Sequence, residues 1–206
     1  YDTAWGTPGA DDNASGVSML LEISREVDGS SLRRPVWLVA YTNEEPPWFR
    51  STEMGSYVHA ARMAERGQQP HVMYSLEMLG YFDDAPGSQV YPVGALGWLY
   101  GDRGDYVAFV GNFQSVSRVR SSVYAFRRGV QFPTMGAALP AAIPGVDFSD
   151  HLNYWDRGWP AVMVTDTSFN RNFAYHEAED VPESLDYDRM SRVAQGLAAV
   201  VREAAR

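Results

Sequence analysis

Val72–Met78 reads VMYSLEM. It is an apolar run of strand length, with one carboxylate, Glu77, near its end. A buried strand does not hold a lone carboxylate without cost: removal from water is unfavourable unless the group is paired or ligates a cation. The segment is therefore read as a buried strand and Glu77 as a candidate functional residue.

Working outward, three more runs have strand character: Pro35–Tyr41 (PVWLVAY), Tyr106–Val110, and Ala161–Thr165 after the Gly158-Trp159-Pro160 turn. Helical spacing fills the intervals. Val17, Leu20, Leu21 and Ile23 mark a helix over Asn13–Val27, with Gly29 as its stop signal. Thr52–Arg66 is closed by Gly67, Val116–Arg128 is amphipathic, and Tyr187–Ala205 is a long C-terminal helix. Alternation of this kind predicts an α/β domain with a largely parallel sheet and helices on both faces. Ligands of such sheets bind beyond the carboxyl ends of the strands. Thr42-Asn43-Glu44-Glu45 follows the first strand, Glu77 ends the second, and Asp166 follows the fourth, with Tyr175-His176 beyond it. Asp11-Asp12-Asn13 precedes the first helix. Acidic groups and one histidine are thus expected on one edge of the sheet.

Composition narrows the chemistry. The chain has 206 residues, enough for one domain with a real core, and a net charge of −9. That sign argues against a nucleic-acid partner, which needs a clustered basic surface. No apolar run approaches the roughly 20 residues that span a bilayer. All 17 basic residues are Arg and there is no Cys. Schiff-base lysines, the P-loop lysine, thiol nucleophiles, thiolate metal sites and disulfides are excluded. His, Asp and Glu remain. A hydrolytic zinc site uses His nitrogen and carboxylate oxygen with one position open, and a separate carboxylate takes the proton from water. Asp12, Glu44, Glu45, Glu77 and His176 are the candidates, and the adjacent Glu44-Glu45 pair suits a division between base and ligand.

Five motifs stand in an order that resembles the zinc aminopeptidases of peptidase family M28: PGADDNASG (Pro8–Gly16), TNEEPP (Thr42–Pro47), SLEMLGY (Ser75–Tyr81), SDH (Ser149–His151) and YHEAEDVPESLDY (Tyr175–Tyr187). The resemblance implies a three-layer αβα zinc-exopeptidase fold with a central mixed, mostly parallel sheet. Residues 1–206 would form a single catalytic domain, partial at its N-terminus. It implies Asp12 as a carboxylate bridging two zinc ions, Glu45 and His176 as ligands of one ion, and Glu77 as a ligand of the other, where better-known members have Asp. It implies Glu44 as general base and Tyr175 as a phenol that hydrogen-bonds the oxyanion. Asp2 would be the acid of a His-x-Asp motif that orients a ligating His expected just before Tyr1. Two zinc ions are expected per complete domain, with the second site incomplete in this chain. The substrate would be a peptide with a free N-terminus. Family relatives leave the compartment open, an exported or membrane-anchored parent being compatible.

Plainer readings stand beside these. Asp11-Asp12-Asn13 is also an ordinary helix cap. Ser149, Asp150 and His151 are consecutive and cannot form a hydrolytic triad; Asp150 is read as lining or supporting the site, and His151, His59 and His71 as structural. Trp48, Phe49, Trp98, Tyr100 and Trp155 are core or rim residues by default. Two rival functions remain. Glutaminyl cyclases resemble the same family and use one zinc held by Asp, Glu and His, a set that Asp12, Glu45 and His176 match. A binding domain of this fold without catalysis is the other.

Overall fold

The computed structural model describes residues 2–27 and 32–206. Four strands form its sheet: β1 (Met73–Glu77), β2 (Val107–Gly111), β3 (Thr134–Ala138) and β4 (Ala161–Thr165), in the order β1-β4-β2-β3. β1 pairs with β4 and β2 with β3 in parallel, while β2 and β4 are antiparallel, so the sheet is mixed. The helices are α1 (Gly16–Glu26), α2 (Gly55–Glu65), α3 (Ala95–Tyr100), α4 (Val116–Gly129), α5 (Leu152–Trp155) and α6 (Tyr187–Ala204). None of the described helices is long and apolar enough to cross a membrane.

Strand periodicity divides the side chains between two faces. Val107, Phe109, Val162 and Val164 enter the main core with Met19 and Ile23 of α1, Val119 and Phe126 of α4, and Val193 and Leu197 of α6. α6 starts cleanly because the Asp186 side chain accepts the Arg189 N–H at 2.9 Å. It then packs its small residues on α4: a Cβ at Gly196 would lie 2.3 Å from the Phe126 ring. On the other face a smaller cluster joins Ala60 and Met63 of α2, Tyr154 of α5 and Ala161. The alternate residues Ala108, Val110, Met135, Ala137, Met163 and Thr165 face a cavity on that side.

Two expectations need correction. Pro35–Tyr41 forms no strand, and none of the described strands pairs with it. A groove of about 780 Å³ lies between this segment and β1, lined by Pro35–Val39 on one side and Met73, Tyr74 and Leu76 on the other. Without ladder hydrogen bonds an apolar run is not a strand, and Trp37 and Leu38 remain 50% and 42% exposed. The segment is held at its end instead: the Tyr41 hydroxyl meets Tyr154 Oη at 2.6 Å and His59 Nδ1 at 2.9 Å, and Gly55 N–H donates to Thr42 O at 2.9 Å. The second correction is β3, which the sequence reading left out. Its Met-Gly-Ala-Ala run has poor strand propensity, but small size is what α4 requires, since a Cβ at Gly136 would lie 2.8 Å from Val123 Cγ2. The helices over Asn13–Val27, Thr52–Arg66, Val116–Arg128 and Tyr187–Ala205 form within a few residues of their expected bounds; the stop signal Gly29 lies outside the described residues.

Candidate metal and catalytic site

The loop before α1 is bracketed from every side. Asn13 Nδ2 donates to Leu76 O at 2.8 Å, and its Oδ1 accepts Met78 N–H at 3.1 Å, which ties the loop to the end of β1. Gly16 leaves room for that approach, because a Cβ there would stand 2.5 Å from Leu76 O. Ser15 Oγ accepts Leu79 N–H at 2.9 Å, and the Asp11 carboxylate accepts Gly80 N–H at 2.8 Å and Asn172 Nδ2 at 2.9 Å. Asp11 is thus a buried structural acid, as is Asp166 at the end of β4, whose oxygens accept Tyr81 N–H at 3.0 Å and Ser168 N–H at 2.9 Å. Asp12 is the acid this bracket leaves for other work.

Asp12, Glu45 and His176, from three separate loops, come together with a ligand atom from each lying within 4.8 Å of the others. His176 Nε2 is 3.2 Å from Asp12 Oδ2 and 3.2 Å from Glu45 Oε2. Asp12 Oδ2 and His176 Nε2 are nonetheless buried without hydrogen-bond geometry to any described group. Buried polar atoms are almost always satisfied. A pair of orphans converging on one point, with a second carboxylate beside them, is the donor set of a zinc site with an open position. The residues present therefore fit the metal.

Electrostatics agree. Glu45 is pushed up to about 7 by burial and then by the Asp12 charge, with His176 opposing. Glu44 is held well above the carboxylate range by burial and by the charges of Asp150, Glu45 and Asp12. Burial raises Glu77 likewise, with Glu44 and Asp12 adding to it. The Asp12 contact raises the His176 imidazole against its desolvation, helped by Glu45. Carboxylates crowded in this way are relieved by a bound cation. Backbone geometry is unusual at the same places: Asn43 (φ 61°), Met78 (φ 47°) and His176 (φ 61°) are left-handed beside Glu44, Glu77 and the imidazole itself. Such non-glycine residues cluster where a site is held against local preference.

Glu77 and Glu44 line the same cavity but stand outside the three-residue group. One Glu77 oxygen accepts the Ser149 hydroxyl at 2.6 Å, and Ser149 Oγ is also 2.6 Å from Ser75 Oγ. The Tyr175 ring stacks on His176 with centroids 3.8 Å apart, and burial followed by the charge of Asp12 raises its phenol. Asp2 accepts the backbone N–H groups of Glu44 at 3.4 Å and Glu45 at 3.2 Å, so it supports the loop that carries both glutamates. Asp150, raised to about 6 chiefly by burial, lies near Glu44. His151 Nε2 meets Val146 O at 2.9 Å, His59 the two tyrosines, and His71 Arg118, and none of the three joins the Asp12–Glu45–His176 group.

The acids form one end of a cavity of about 320 Å³; the other end is apolar, with Phe49, Tyr100, Val110, Met135, Met163 and Phe169 in its wall. Of the other aromatic candidates, Trp98 is 95% exposed and Trp155 donates to Ala161 O from the α2–α5 cluster. Sequence reasoning missed Ser149, dismissed with the impossible triad, and Asp180, whose carboxylate accepts the Asp11 and Asp12 N–H groups.

YfbL, an uncharacterized protein of Escherichia coli, is 50% identical over 191 residues, which is 93% of this chain and 58% of that protein. A probable leucine aminopeptidase of Arthroderma benhamiae is 30% identical over 194 residues, 89% of this chain and 44% of the relative. The chain thus spans about half the length of the curated relatives it matches. The LapA aminopeptidase of Legionella pneumophila superposes with a TM-score of 0.76 at 20% identity, over 99% of this chain and 49% of that one. BSAP, a zinc aminopeptidase from Bacillus subtilis, does so with a TM-score of 0.71 at 21% identity, over 100% and 44%. These two likenesses are to the fold. The family model for peptidase family M28 matches residues 1–201, and the chain belongs to that family.

Proposed function

We propose that this chain carries the catalytic site of a zinc-dependent aminopeptidase acting on peptides whose first residue is large and apolar. The observation that carries the reading is the meeting of Asp12, Glu45 and His176 at the polar end of an otherwise apolar cavity. These three residues would hold one zinc ion. Asp12, shared with the first, and Glu77 would hold a second ion. Zinc held there would supply a Lewis acid for the scissile carbonyl and would acidify water.

The chain's own groups do the rest. Glu44, raised by burial among acids, takes the proton of the attacking water and passes it to the leaving amine. The Tyr175 phenol, stacked on His176, donates to the developing oxyanion. The apolar wall takes the first side chain and excludes water. Among the described residues no Arg lines the cavity, whereas four acids do. A free ammonium suits that lining; a C-terminal carboxylate, which favours an Arg clamp, does not.

The test is zinc content and release of free amino acid from aminoacyl substrates by the full-length protein. Zinc-loaded, folded protein that releases no amino acid from any aminoacyl substrate overturns the reading. The same three-ligand set also suits cyclisation of an N-terminal Gln at a single zinc. Pyroglutamate in place of a released amino acid, with one zinc per chain, would select that alternative.

A further inference from the structure

Asp180 is 1% exposed and lies four residues after His176. Its two carboxylate oxygens accept consecutive backbone donors of the Asp12 loop: Oδ1 takes Asp11 N–H at 2.8 Å and Oδ2 takes Asp12 N–H at 3.0 Å. Its carbonyl accepts Ala10 N–H at 3.2 Å, and its own N–H closes a turn on Glu177 O at 3.3 Å. One residue thereby fixes the loop of one candidate ligand to the loop of another, although Asp12 and Asp180 are 168 residues apart in sequence.

We infer that Asp180 is a positioning residue that sets Asp12 against His176 for zinc binding, an inference that rests on the metal site proposed above. The chemistry requires a carboxylate. Two adjacent N–H groups face two oxygens, each bond strengthened by the negative charge. An amide of the same size has one acceptor, and its NH₂ would confront a backbone donor and leave it buried and unpaired. Partners that orient ligands typically carry 10- to 100-fold in metal affinity or activity. Asp180 does not line the cavity, so its loss is expected in zinc affinity and kcat rather than in KM.

The experiment compares zinc dissociation constants, from competition with a chromophoric chelator, for the full-length wild type, Asp180→Asn and Asp186→Asn. The Asp186 side chain caps α6 and bonds no candidate ligand, and its backbone N–H bond to Gly80 O does not depend on the carboxylate, so Asp186→Asn controls for the loss of an acid elsewhere in the fold. Asp180→Asn is expected to weaken zinc at least about tenfold with KM nearly unchanged, and Asp186→Asn to leave zinc affinity as it was. Wild-type affinity in Asp180→Asn, or equal weakening in both variants, overturns the inference. Should Asp180→Asn not fold, Asp180→Glu takes its place: weaker zinc binding than in Asp186→Asn at matched thermal stability supports the role, and equal binding overturns it. Wild-type protein that binds no zinc would overturn the metal site itself.

Discussion

Ala137 stands on β3 with its side chain on the cavity face, opposite Val110 in register. Ala137→Leu would add three carbons to the cavity wall, the same three by which a leucyl substrate exceeds an alanyl one. At about 0.8 kcal/mol per buried carbon group, those three are worth about 2.4 kcal/mol, or roughly 60-fold in kcat/KM. At about 30 Å³ each, on the scale of a water molecule, they would occupy roughly 90 Å³ of a cavity of about 320 Å³. The added side chain therefore competes for space without closing the site. Wild type is expected to prefer leucyl over alanyl p-nitroanilide by up to about 60-fold. Ala137→Leu should reduce that ratio at least about fivefold, since part of the apolar volume survives, while the alanyl rate changes little. An unchanged ratio in the variant, or no leucyl preference in the wild type, would refute the placement of the first side chain in this cavity.

Glu44→Gln should lower kcat by about 10²- to 10⁴-fold, the usual contribution of a general base, with zinc content unchanged; near-normal turnover by stopped assay would remove Glu44 from the mechanism. His151 is fully buried and its imidazole is pushed down to about 4, chiefly by desolvation, so the folded state resists a proton that the unfolded chain accepts near 6.5. Stability from this group is therefore complete above pH 6.5 and falls as pH drops from 6.5 to 4, by about 3 kcal/mol; subtracting urea-unfolding energies of His151→Gln from wild type across that window should expose the slope, and parallel curves would contradict it. Gly196→Ala would press a methyl into the Phe126 ring, a clash of about 1–3 kcal/mol set against a helix-propensity gain of about 1 kcal/mol; a variant markedly more stable than wild type in urea would show that α4 and α6 yield more easily than the packing implies.

What the sequence disclosed follows from which signals are local. β2 and β4 carry apolar runs that bury on both faces, β1 an apolar run that is partly buried, and α1, α4 and α6 repeat their apolar residues at helical spacing, so each declares itself within its own span. β3 does not, because Gly136 and Ala137 are small for the sake of α4 on one side and the cavity on the other. Pro35–Tyr41 misleads for the converse reason: its apolar residues satisfy the pattern, but a strand exists only through a partner's backbone, and the sequence does not say where that partner stands. At the site, Asp12, Glu45 and His176 were legible as residue types suited to a metal, and the structure brings them together. Asp180 was hidden, since its work is done on the backbone of another loop and acid followed by Val-Pro looks like any turn. Ser149 was hidden by a correct exclusion: it belongs to no triad, yet its hydroxyl holds Glu77.

The same strands serve core and site, and this constrains how either can change. Period two sends Phe109 and Val164 into the apolar core and sends Val110 and Thr165 to the cavity, so a shift of one residue in register would exchange the two sets. The core therefore fixes the cavity wall to the precision of a packed interior. The acids at the polar end oppose it. Burial raises Glu44, Glu45, Glu77 and Asp150, with repulsion from neighbouring acids adding to it (Asp2 in the case of Asp150), so without a cation the fold loses stability as pH rises from the ordinary carboxylate range towards about 6 for Asp150 and about 7 for Glu45. A site that costs stability until a cation arrives needs its ligands held by something other than their own attraction. The backbone bonds of Asp2 to Glu44 and Glu45, of Asn13 to β1, and of Asp180 to Asp11 and Asp12 supply that hold. Each anchor, Asp2, Asn13 or Asp180, is not itself a candidate ligand, so the frame can stay fixed while the charges within it are neutralised.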